Sequence, residues 1–327
     1  MELKGKALFN LLRINWLEEK SRDVKLWQVE DLRKLSIEEL FSRLKALRLI
    51  LSEESFYLYA ENCASPEELV DCIWIDEEEL EGRDKAYLVL FELWRRLLPH
   101  KFSLCIFCDE LDQWIELYDS GELEEEEPLQ KALAILEDLL DEGYDREHDA
   151  KKIFTEIASY CAHDLERFIF DYISDQITQK NTTYASELVD AFCAYSTDKR
   201  WFNLLRARLF YISDLEKSNV IYGRILEELI ESPDLELILL IAESLIHHGD
   251  VHLFKQAVKQ AIPLLKKEEE FQNLLAMIAE YYRCLDRDEE EKEIASLLEA
   301  RAAQPLEKFL DPSDPALPQL YTFLYRK

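Results

Sequence analysis

Apolar residues recur at three- and four-residue intervals along most of the chain, with polar residues between them. This is the period of amphipathic helices, not of strands. In SIEELFSRLKALRLIL, Leu40, Leu44, Leu47 and Leu51 form one stripe, and Ser36 with Glu39 makes a capping box at its head. Ser65, Pro66, Glu67 and Glu68 open a second helix: an oxygen caps free amides, proline takes the first helical position, and acids face the positive end of the dipole. The apolar run Cys72 to Ile75 reads as a continuation of that helix. Gly82, Gly121 and Gly143 each separate two periodic segments, which predicts helices over 84–98, 102–119 and 128–142. Links this short make antiparallel neighbours.

The second half repeats faintly. Aligning Ala242 with Ala279 superposes ILLIAESLIHHGD, from Ile238, on LAMIAEYYRCLDR, from Leu275, with a period of 37 residues. LLRARLFYISD, from Leu204, joins them with Ala207 in the place of Ala242. A small residue recurring on one face lets a neighbouring helix approach closely, as stacked helical hairpins require. Ala242, Leu245, Gly249 and Ala261, and then Ala279, Tyr282 and Asp286, follow the order small, bulky, turn. On these residues the stretch 180–302 resembles the tetratricopeptide-type α-solenoids, from whose pattern Phe254 departs by standing where a small residue is expected. The resemblance implies peptide or protein binding.

Composition sharpens the class. Six Gly and nine Pro in 327 residues leave the chain dominated by good helix formers. The expected fold is all-α: an irregular N-terminal helical bundle followed by stacked antiparallel helical hairpins in an α-solenoid-like array. The expected divisions are an acidic bundle over 1–145, a hairpin region over 146–304 and a Pro-rich capping tail over 305–327. Pro305, Pro312, Pro315 and Pro318 predict an extended tail, whose apolar end, LYTFLYRK, docks back onto the body. No stretch approaches the roughly 20 apolar residues that span a bilayer. The opening MELKGKALFNLLRINWLEEK reads as an amphipathic helix without a signal-cleavage site. Seven scattered cysteines suit reduced, buried thiols, and a cytoplasmic location is expected.

The net charge of -30 is unevenly placed. Residues 1–50 hold eleven Lys or Arg against eight Asp or Glu, whereas 51–145 hold six against twenty-eight. Acid concentrated on a strongly apolar stretch predicts an ordered acidic surface that steers basic partners. Arg33, Lys34, Arg43, Lys45 and Arg48 form the one basic surplus, expected to lie against the acidic middle of its own chain instead of binding nucleic acid or membrane.

Catalytic signatures are missing from the sequence. No two glycines lie close enough for a phosphate loop, and there is no Gly-x-Ser-x-Gly elbow. Cys105 and Cys108 form a Cys-x-x-Cys without a second pair, which reads as two core thiols. His247, His248 and His252, with Glu243 and Asp250, read as decoration of a helix end and turn, not as a metal site. No cofactor, metal or catalytic residue is expected. The expected function is a non-enzymatic intracellular scaffold, adaptor or chaperone-like protein that recruits a basic protein or peptide. Its candidate binding residues are Glu77, Glu78, Glu79, Asp109, Asp112, Trp114, Glu116 and Tyr118. The alternatives are a nucleic-acid mimic occupying a basic DNA- or RNA-binding protein, and a helical-bundle metal-dependent enzyme with its ligands among the carboxylates.

Overall fold

A computed structural model describes residues 2–75, 78–247 and 250–325. Among them the chain is all-helical, with no strand. It divides into two compact units, Met1–Ile169 and Phe170–Lys327.

The first unit contains α1 (Ala7–Glu18), α2 (Leu26–Val29), α3 (Ile37–Ala46), α4 (Glu53–Glu61), α5 (Pro66–Ile73), α6 (Leu80–Leu97), α7 (Leu104–Asp119), α8 (Glu127–Glu147) and α9 (Ala150–Ala158). Helix α6 is its axis, with every residue from Ala86 to Trp94 buried, as expected of a helix packed on all sides. Leu40, Leu44, Phe56 and Leu69 close around it. The Ser36–Glu39 capping box forms as expected, with reciprocal bonds of 2.7 and 3.2 Å, and Ser65 accepts from the Glu68 amide. Helix α3 stops at Ala46, short of Leu51: Arg48 turns left-handed at φ 65° and the Leu49 amide bonds back to Leu44, a common helix end.

Two of the three glycine boundaries are corrected. Gly121, at φ 70°, does end α7. Gly82 and Gly143 instead lie inside α6 and α8, where the missing side chain makes room for a neighbour. A β-carbon on Gly143 would meet Ile153 Cγ2 at 2.7 Å, and one on Gly82 would meet the Trp74 ring at the same distance. Cys72 and Ile73 belong to α5, but Trp74 and Ile75 lie beyond it.

α10 (Leu165–Thr178) runs across the division. The second unit continues with α11 (Thr182–Phe192), α12 (Lys199–Ser213), α13 (Leu215–Glu231), α14 (Leu235–Leu245), α15 (Val251–Ala261), α16 (Glu268–Cys284), α17 (Asp288–Arg301) and α18 (Ala316–Leu324). Helices pair as α12 with α13, α14 with α15 and α16 with α17; α14 also packs on α12 and α16, and α13 on α15. This is the layered stacking of a solenoid-like array. Ala207 and Ala242 are fully buried. Phe254 is accommodated because its ring stacks on Tyr281 of the next hairpin, centroids 3.7 Å apart. The tail docks, but it is not wholly extended. The Glu268 amide bonds to Lys308 and the Leu310 amide to Lys266, and α18 then buries Leu320, Phe323 and Leu324. Pro318 sits in the first turn of α18, where its missing N–H costs nothing.

Candidate functional site

The acidic middle of the chain has an inward face and an outward face. The inward face lies on α7. Asp109 is 3% exposed, and its carboxylate receives Lys6 Nζ at 2.9 Å, Arg33 Nη2 at 2.6 Å and Asn10 Nδ2 at 2.9 Å. Burial alone would raise the carboxyl, yet Lys6 and Arg33 outweigh it and hold Asp109 well below the usual carboxylate range. Arg33 is itself aimed by a 2.8 Å bond to Gln113 Oε1. Asp112, equally buried, accepts from the amides of Ala162 and His163, from the His163 ring at 3.0 Å and from Asn10 at 3.3 Å. One turn further, Arg13 pairs with Glu116. These groups line a cleft of about 40 Å³, room for a water or two.

This geometry revises the candidate residues. Asp109 and Asp112 are not part of an open acidic surface, because bases of the first 33 residues and the turn before α10 already use their oxygens. Glu116 is half-buried against Arg13, and Tyr118 meets Phe168 edge-on at 5.9 Å. Trp114 is half-buried, and Glu78 and Glu79 are exposed. Glu77 lies outside the described residues. The expected internal pairing of the basic stretch holds for Arg33. Lys34 and Arg43 pair locally, with Asp31 and Glu30. Lys6 and Arg13, which carry most of the remaining contact, were hidden in a segment whose periodicity signals only an amphipathic helix.

The outward face lies on α8 and α9. Ile135, Asp138, Leu139 and Glu142 fall at i, i+3, i+4 and i+7 of α8 and so share one side of it. With Phe102, Leu104 and Ile153 they line a groove of about 700 Å³, which Arg146, Glu147 and Glu156 also border. Phe102 and Ile135 are 57% and 44% exposed, so the apolar floor is open to solvent. Gly143 sets the groove's depth by letting α9 approach until Ile153 sits against the α8 backbone. Four of the groove's residues are acidic and one is basic, and Arg146 already pairs with Glu142 at 2.9 Å. The face was legible as an i, i+3, i+4, i+7 pattern in PLQKALAILEDLLDE, where acids and apolar residues alternate on one side.

Cys105, Cys108 and Asp250 have structural places. Cys105 and Cys108 are both buried; Cys105 lies 3.1 Å from Glu67 and 3.0 Å from Ser103, and burial pushes its thiol well up. Asp250 caps α15 through the amides of His252 and Leu253. His248 and Gly249 lie outside the described residues. No protein-family model matches the chain, and no curated protein or solved structure is significantly similar to it.

Proposed function

We propose that this protein is a non-enzymatic scaffold, adaptor or chaperone-like binder that takes up a basic, amphipathic helical segment of another protein in the groove on α8 and α9. The observation that carries the reading is the pairing of an apolar floor, with Phe102 and Ile135 exposed, Leu139 half-buried and Ile153 buried beneath them, with an acidic border, Asp138, Glu142, Glu147 and Glu156. A helix laid in such a groove buries apolar side chains at i, i+3, i+4 and i+7, while Lys or Arg on its flanks meet the border. The surplus of acid over 51–145 adds long-range attraction, which raises the rate of encounter more than it raises affinity. Supporting it by analogy, the tetratricopeptide-type resemblance of 180–302 belongs to the same proposal.

Three labelled peptides test the reading: a basic amphipathic helix, its acidic counterpart, and a scrambled basic peptide without an apolar stripe. The first is expected to bind, the second not at all, and the third at least about tenfold more weakly than the first. Equal binding of the two basic peptides would remove the apolar floor from the account and leave non-specific charge attraction.

A further inference from the structure

The 37-residue period that aligns Ala242 with Ala279 also aligns His247 with Cys284, and Glu243 with Glu280. Stacking of α14 on α16 turns that alignment into proximity. His247 follows the end of α14 and Cys284 ends α16, with His247 Nδ1 at 3.4 Å from Cys284 Sγ. Glu280 stands one turn earlier on α16, its Oε1 at 3.6 Å from the same sulfur. The three donor atoms lie within 4.8 Å of one another.

We propose that His247, Glu280 and Cys284 form a binding site for a divalent transition metal ion of borderline softness, with Zn²⁺ the best match. Imidazole nitrogen, carboxylate oxygen and thiolate sulfur are zinc's three common ligand types. Zn–S and Zn–N or Zn–O bonds of about 2.3 and 2.1 Å at a tetrahedral angle leave donor atoms about 3.6 Å apart, close to the separations already present. Glu280 is also prepared as a ligand: Arg283 holds its Oε2, leaving Oε1 turned to the sulfur. A partner of this kind fixes a ligand's orientation. Cys284 and His247 are exposed and Glu280 half-buried, so an ion enters directly, and water completes the fourth position. On binding, the Cys284 S–H bond breaks, sulfur keeps the electron pair for the metal, and the proton passes to solvent. The ion then ties the end of one hairpin layer to the next.

This set differs from the grouping of His247 with Glu243, Asp250 and His252 suggested by the sequence, where only neighbours along the chain are visible. Two of the three ligands come from the following hairpin.

Titration of the purified full chain with Co²⁺ alone, followed by absorption spectroscopy, tests the proposal. One equivalent is expected to produce the intense visible bands of tetrahedral cobalt and a near-ultraviolet thiolate-to-metal band, both displaced by Zn²⁺. Cys284→Ser should abolish the thiolate band, and His247→Ala or Glu280→Gln should weaken binding ten- to a hundredfold. Cys72→Ser, at the other exposed cysteine, should change neither. Weak bands of octahedral cobalt without the thiolate band would mean that the metal binds surface carboxylates and would overturn the site. So would a thiolate band that survives Cys284→Ser.

Discussion

Lys6 Nζ stands 2.9 Å from Asp109 Oδ1, and Arg33 takes the other carboxylate oxygen at 2.6 Å. The strongest concentration of acid in the chain is thereby turned partly inward, against its own basic N-terminal segment. Removing the carboxylate charge while keeping its shape leaves two cations facing a buried neutral amide. Asp109→Asn is expected to destabilise the protein by about 3 kcal/mol, read from urea unfolding, whereas Glu79→Gln, on the exposed surface, should cost less than about 0.5 kcal/mol.

The same contact fixes a pH dependence. Asp109 is held below its ordinary value near 3.9, so on acidification the unfolded chain takes up this proton before the folded one does. The contribution is complete above about pH 4 and is lost as pH falls toward the depressed folded value. The loss of stability below pH 4 should be shallower in Asp109→Asn than in the parent. Parallel profiles would show that Asp109 is not held ionised by Lys6 and Arg33.

Gly143 and Gly121 should respond to alanine for different reasons. Within α8, alanine at 143 gains about 1 kcal/mol of helix propensity, but its β-carbon would fall 2.7 Å from Ile153 Cγ2. Overpacking of this kind costs about 1–3 kcal/mol, and a reduced Tm is expected together with a disturbed groove. Gly121→Ala meets no atom within 4 Å, and its cost of about 1 kcal/mol comes from the left-handed backbone alone. Peptide binding should weaken in the first variant only.

How much could be read from the chain is clearest at these glycines. Periodicity located the helices, and the capping residues located their starts, because both signals act within a turn or two of the chain. A glycine inside a helix looks the same in sequence as one that ends it; only Ile153 and Trp74, brought from elsewhere, distinguish Gly143 and Gly82 from Gly121. The candidate acids divide into buried and exposed for a related reason. Asp109, Asp112 and Asp138 are alike in sequence, and the face each occupies depends on whether α1 or solvent lies opposite. His247 and Cys284, 37 residues apart in the sequence, do meet, at 3.4 Å, because α14 packs on α16.

Of seven cysteines, Cys72 and Cys284 are exposed and the other five buried. Burial pushes the Cys63 thiol up to about 11 and Cys105 higher still. Two thiols should react rapidly with a disulfide reagent in the native state and all seven after unfolding. Fast native reaction of Cys105 and Cys108 would contradict their placement in the core.

Arg301 bridges Glu268, at 2.8 and 2.5 Å, and Asp314, at 2.9 Å, while lying over the Phe271 ring. It is the ionic latch of the C-terminal tail. Arg301→Ala strands the buried Glu268 carboxylate and should cost about 3 kcal/mol, with faster proteolysis within 302–315. Arg301→Lys should recover only part, because an ammonium cannot span both carboxylates as the guanidinium does.

The central claim, a basic amphipathic segment seated in the α8–α9 groove, is tested most directly by the dissociation constant of one such peptide across ionic strengths. It should be measured for the parent, Ile135→Glu and the double variant Asp138→Lys, Glu142→Lys. The account predicts affinity that falls as salt screens the acidic border, at least a tenfold loss in Ile135→Glu at every salt concentration, and a charge-reversed double variant that binds weakly and loses most of its salt dependence. Binding that is the same in all three proteins and insensitive to salt would contradict it.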